Sequence, residues 1–174
     1  MMEGQSASEG PAMEIEIADV PPQHVYALSS GPSPIPREQL SQLIWRLFDQ
    51  LDARLARAGI VPPPIHLVWY ERLTGYLGQP SIRVWVGYAA PSGTEQRSSE
   101  ISPVVLEGAH AAVSRVEGPP QSIAASWEEL IEWVRSHGGH TRGWARQVHQ
   151  QAYPLPEDRW VTELQLPFTG ELAP

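Results

Sequence analysis

Residues 160–168 read WVTELQLPF. Apolar side chains and the β-branched Thr162 surround one acid, Glu163, in a run with the composition and length of a strand. A carboxylate inside an apolar strand is costly unless something satisfies it. The face on which Glu163 lies therefore bears on what the chain does. Alternation puts Thr162, Leu164 and Leu166 on one face and Val161, Glu163 and Gln165 on the other.

Working back from this stretch, PLPED separates it from a preceding strand, Ala145 to Tyr153. Before that, Ser122 to His137 predicts a helix with Trp127, Leu130, Ile131 and Val134 on one face, closed by Gly138 and Gly139. Two strands come before the helix, Pro103 to Glu107 and His110 to Val116. The same strand, strand, helix, strand, strand order occupies the first half. Met13 to Ala18 alternates apolar and acidic, His24 to Ser29 follows, and Arg37 to Ala58 carries Leu40, Leu43, Ile44, Leu47, Leu51 and Leu55 at helical spacing. Gly59 and Pro62 to Pro64 end that helix, and His66 to Glu71 and Ser81 to Ala89 complete the set. His24 precedes Gly31-Pro32 and a helix, much as His110 precedes Gly118-Pro119 and a helix.

This punctuation predicts an internal duplication with halves 13–90 and 101–168, joined by the polar connector PSGTEQRSSE. The expected fold is α+β: duplicated ββαββ units forming one eight-stranded antiparallel sheet, with two main helices on one face. The other face is expected to be free and to curl into a central cleft. Residues 1–12 read as a disordered leader and 169–174 as a tail, around a single domain at 13–168.

Composition narrows the function. The formal net charge of −8 argues against broad electrostatic binding to nucleic acid or anionic membrane. There is no cysteine, which excludes disulfides, thiolate metal sites and a thiol nucleophile. No apolar run approaches the roughly 20 residues that span a bilayer, and MMEGQSASEGPA lacks the basic and apolar regions of a signal peptide. The expected location is the cytoplasm. His137 and His140 flank two glycines without acids nearby, a poor metal site. No metal or cofactor is expected.

The chain has 7 tryptophans, enough to line a ligand cavity as well as fill a core. If the helices cover the all-apolar face, Glu163 and Gln165 point to the other, with Trp85. Parity leaves open whether Tyr70 or Trp69 joins them, and groups His149, Gln151 and Tyr153 on one face of the preceding strand. The candidate ligand-binding set is Glu163, Trp85, Tyr153, Tyr70 or Trp69, His149 and Gln151. A carboxylate among aromatic faces suits a planar or cationic ligand.

The duplicated layout, GPP before the second helix, Trp133 near its end, QQAY, and the terminal WVTELQLPF together resemble the GyrI-like small-molecule-binding family, which includes the effector domains of multidrug-sensing MerR-type and AraC-type regulators. The resemblance covers roughly residues 13 to 168. It implies a pseudo-twofold fold with a central ligand cleft, and that the Glu of the TE motif, here Glu163, faces it. A second Glu common in the family's Glu-x-Tyr motif is replaced by Gln151 in Gln151-Ala152-Tyr153, which lowers the expected negative charge of the cleft.

No helix-turn-helix or basic helix precedes the fold, so a stand-alone member is expected, without direct nucleic-acid contact. The first functional expectation is a module that binds planar aromatic or lipophilic compounds, to sequester or sense them. The alternative is a hydrolase opening electrophilic, cyclopropane-type rings, with Glu163 activating or orienting water and Tyr70 or Tyr153 polarising the electrophile. The third is a protein-interaction inhibitor of the gyrase type.

Overall fold

The computed structural model describes residues 13–31, 35–73, 81–91 and 101–172; the side chains at 37, 72, 73 and 81 fall outside that description. The leader, most of the 91–100 connector, the TGYLGQP link and part of the GPSPIP link lie outside the described residues.

Among the described residues nine strands and two long helices follow in chain order: β1 Ile15–Val20, β2 Gln23–Ser29, α1 Leu40–Arg57, β3 His66–Leu73, β4 Ser81–Ala89, β5 Pro103–Leu106, β6 Ala109–Glu117, α2 Ile123–Ser136, β7 His140–Thr141, β8 Ala145–Gln151 and β9 Val161–Thr169. The expected α+β architecture is present, with one strand more than the eight expected. The addition, β7, is two residues long and pairs only with the end of β9. The preceding strand β8 stops at Gln151 rather than Tyr153, because the register with β9 slips between His149 and Gln151.

All pairings are antiparallel, and the path through the sheet is β1-β6-β9-β8-β3-β4-β2-β5. Two half-sheets therefore meet at the β3–β8 seam, and each half lends the other its first strand. β1 pairs with β6, and β5 pairs with β2. Both helices lie on one face. α1 packs over β4 and β2, burying Leu47, Leu51 and Leu55 against Tyr26, Val84 and Val86. α2 packs over β6 and β9, burying Leu130 and Val134 against Ala112, Leu164 and Leu166. Each helix is released by a glycine in the left-handed region, Gly59 (φ 70°) and Gly138 (φ 86°), where a side chain would be strained.

The helix-free face is not free, and this corrects the expected placement of the cleft. Only Pro21 and Pro22 join β1 to β2, although six strand spacings separate them along the path. Six spacings amount to roughly 29 Å in a flat sheet, whereas so short a link spans at most about 10 Å. Glu107 and Gly108 impose the same closure between β5 and β6. The sheet must curl until its ends approach each other. The links crowd where they meet: a Cβ on Gly108 would stand 2.8 Å from the Val20 carbonyl oxygen and 3.1 Å from Pro22. The curl closes on the helix-free side, since Arg146 of β8 reaches the Glu107 carbonyl there. Val25, Leu67, Trp69, Leu106 and Val148 fill this concave interior as a second core.

Candidate functional site

Between α1 and α2 the seam strands β3 and β8 are left uncovered. The space above them is a cavity of about 1340 Å³. It is larger than most small-molecule sites, which run to roughly 1,000 Å³. Its floor is the helix-side face of the seam: His66, Val68 and Tyr70 from β3, and Ala145, Gln147 and His149 from β8. These residues pair directly, His66 with His149, Val68 with Gln147 and Tyr70 with Ala145.

The walls repeat. Ile44 and Ile123, Phe48 and Trp127, and Asp49 and Glu128 occupy matching places on α1 and α2, each pair 79 positions apart in sequence. The floor keeps the same interval, Val68 answering to Gln147 and Tyr70 to His149. Val68 and Gln147 are also opposite each other in the β3–β8 register, so the pseudo-twofold axis passes through that pair.

Polar chemistry on the floor is concentrated at one end. The imidazoles of His66 and His149 stack with centroids 4.6 Å apart. Phe48 and Tyr88 meet His66 edge-on, and Trp160 meets His149 edge-on. The His149 Nδ1 shares a 3.0 Å hydrogen bond with Thr162 Oγ1. Burial lowers His66 to a pKa of about 4, against a smaller opposing effect of a hydrogen bond to the backbone of Pro64. Burial and then the neighbouring His66 lower His149 to about 3. Both rings are therefore neutral at ordinary pH. Above them the Tyr88 hydroxyl donates to Asp52 Oδ1 at 2.8 Å; burial, followed by Asp52, raises the tyrosine well above its usual range. Toward the other end the Tyr70 hydroxyl accepts a long 3.4 Å hydrogen bond from Gln147 Nε2, and burial pushes Tyr70 up to about 12 against that bond.

Of the residues singled out from sequence, the structure brings Tyr70, His149 and Tyr153 to this cavity, Tyr153 at its exposed rim. It does not bring Glu163, Trp69, Trp85 or Gln151 there. Glu163 is on the concave face, where Gln150 Nε2 donates to its Oε2 at 2.8 Å and Gln165 Nε2 to its Oε1 at 2.7 Å. Both oxygens are thus occupied by neutral amides. Trp69 and Trp85 share that face, with near-parallel rings 5.5 Å apart, and Trp144 joins both at 6.4 and 6.5 Å. The Trp85 Nε1 donates to Glu71, which also pairs with Arg83 at 3.0 Å. Gln151 borders a small surface cleft with Arg115 and Asp158. Strand parity placed Glu163 and Trp85 on the helix-free face, where they are, but the cavity shares its face with the helices; parity also grouped Gln151 with His149, which the register slip between them separates. Sequence reading missed Trp45, Phe48, Asp52 and His66. The helix stripe that marked the core also carried this second, adjacent stripe at i, i+3, i+7 spacing, which could have been read from it.

Among the described residues no cluster of three or more His, Cys, Asp or Glu side chains is placed to hold a metal ion, and no helix is long and apolar enough to cross a membrane.

A curled antiparallel sheet with two half-sheets, two helices and a large cavity between them defines a pseudo-twofold ligand-binding domain. The chain belongs to the GyrI-like small molecule binding domain family, whose sequence profile matches residues 13–169. Among solved structures, it is similar to EcmrR in a DNA complex (17% identity, TM-score 0.67), covering 92% of this chain and 59% of that one. This chain thus spans less than two thirds of that protein's length. It is similar to SAV2435 bound to tetraphenylphosphonium (12% identity, TM-score 0.63), covering 91% of this chain and 95% of that one. A hydrolase encoded by lin2189 from Listeria innocua matches at 12% identity and TM-score 0.53, covering 92% and 94%. At these identities the likeness is one of fold.

Proposed function

We propose that this protein binds planar aromatic or lipophilic small molecules in the cavity between α1 and α2, to sequester or sense them. The observation that carries the reading is the cavity itself: about 1340 Å³, walled by Phe48, Trp127 and Trp45 and floored by two neutral, stacked imidazoles. Flat aromatic ligands gain from stacking and edge contacts with such walls. Tyr70, His149 and Tyr153 take part in binding, with Phe48 and His66 beside them. SAV2435, of similar fold, holds tetraphenylphosphonium, a lipophilic multi-ring compound, which supports a ligand of this size and character.

The likeness to a hydrolase from Listeria innocua raises ring-opening hydrolysis as the other use of the fold. Here Glu163 and Tyr70 lie on opposite faces of the sheet, and the placement lends no support to their acting together on one substrate.

Titration of intrinsic tryptophan fluorescence with a panel of planar polycyclic compounds, followed by mass analysis of each mixture, tests the reading. Saturable quenching with the compound recovered unchanged is the expected result. Product with the mass of one added water would replace binding by hydrolysis. Absence of quenching across the panel would overturn both.

A further inference from the structure

The matched helix walls differ in chemical character at two places, and the two differences act in the same direction. On α1 the cavity-lining residue is Trp45 where α2 has Ala124, and Asp52 where α2 has Ile131. Asp52 is bonded to Tyr88, which is paired with His66, so it stands over the histidine end of the floor. Trp45 is seven residues earlier, about 10 Å along the helix, toward the Tyr70 end. α2 runs the other way. Its start is fixed beside Trp160 through the Gly118 N–H to the Trp160 carbonyl, and the chain leaving its far end reaches Ala145, opposite Tyr70. Ile131 therefore shares an end with Trp45, and Ala124 shares an end with Asp52.

One end of the cavity is bulky and apolar. Trp45 is 58% exposed and Ile131 38% exposed, so neither is needed to complete a core. The other end has a carboxylate facing the small side chain of an alanine. Asp49 and Glu128, being matched, give the cavity acidity without direction. On the helices these two mismatches distinguish the ends, as the histidine pair does on the floor.

We propose that this broken symmetry orients the ligand. An elongated amphiphile lies along the β3–β8 seam, with its ring system against Trp45 and Ile131. Its hydrogen-bond-donating head, an amine or amide N–H, meets Asp52 in the space beside Ala124. Trp45 and Asp52 are thus the two residues that set specificity, one for each end. The inference rests on the ligand-binding reading above and adds to it the polarity and pose of the ligand.

The test uses two probes of equal ring size at pH 7.5, an anthracene with an aminoethyl chain and an anthracene with an ethyl chain, titrated by fluorescence. The protein is expected to prefer the amine. Asp52→Asn is expected to weaken the amine probe about tenfold, the size of one charge-assisted hydrogen bond, and to leave the ethyl probe unchanged. Trp45→Ala is expected to weaken both about tenfold, and its exposure means that the fold survives the change. Trp45→Ala combined with Asp52→Ile, which makes α1 match α2 at these two positions, is expected to abolish the preference. If Asp52→Asn shifts both probes equally, or Trp45→Ala shifts neither, the orientation is overturned while the cavity remains a binding site. If the unmodified protein binds neither probe, the binding reading falls as well.

Discussion

His66 and His149 face each other directly across the β3–β8 seam and stack at 4.6 Å, two imidazoles held neutral by burial at the seam between the two half-sheets. Their folded-state pKa values, about 4 and about 3, lie below the usual 6.5. Between pH 6.5 and 3 the unfolded chain binds protons that the folded chain excludes. The stability they contribute is therefore complete above pH 6.5 and is lost as pH falls. By pH 5.5 the loss is roughly 1 kcal/mol for each histidine. Urea midpoints measured at pH 7.5, 6.5 and 5.5 should fall steadily, and His149→Gln should flatten the decline. A midpoint constant over that range would mean that the rings are hydrated.

Gly87 has no room for a side chain. A Cβ there would stand 2.4 Å from Val25 Cγ1, 3.0 Å from the Tyr26 carbonyl oxygen and 3.2 Å from the Trp69 ring. Gly87→Ala is expected to destabilise by about 1–3 kcal/mol, the cost of overpacking a filled core. Thermal unfolding checks it. A loss well below this would mean that the concave interior is loosely packed.

Arg146 is 5% exposed, and among the described residues no carboxylate lies within 4 Å of it. Its anchor is the Glu107 carbonyl, its Nε has no hydrogen-bond partner, and burial lowers its pKa against the influence of Glu107. A buried cation without a paired anion costs more than an apolar group of similar shape. Arg146→Met is expected to be neutral or to stabilise by up to roughly 1 kcal/mol, read from the urea midpoint.

Glu163 is engaged by Gln150 and Gln165 on the face away from the cavity. Glu163→Gln is accordingly expected to leave the affinity for planar ligands within about twofold, a change of less than 0.5 kcal/mol. Isothermal titration against the best compound from the fluorescence panel decides this. A loss of tenfold or more would place the ligand on the concave side.

Much of the fold was legible because each element carried its own period. The leucine stripe of α1, the alternation of β1 and the glycines after each helix specified type and approximate limits locally. The duplication was legible from punctuation. The site was less so, for a reason visible in Pro21-Pro22 and Glu107-Gly108. Which face of a sheet is open depends on how far it curls, and here that follows from two short links between strands distant in the sheet. Alternation correctly separated Glu163 from Leu164, but no local pattern says which face the cavity occupies. β7 was missed because two residues carry no periodicity.

The exchange of β1 and β5 between the halves has a consequence for how the molecule can be cut. Residues 13–91 alone would leave β2 without its outer neighbour and β1 with nothing to pair against, and the second half would be incomplete in the same way. Each fragment would display a bare strand edge beside an unattached arm of matching shape, the arrangement from which intertwined dimers form. The single chain is, in that sense, a dimer of clasped arms made permanent by a peptide connection, and the cavity is what remains at the centre of the clasp.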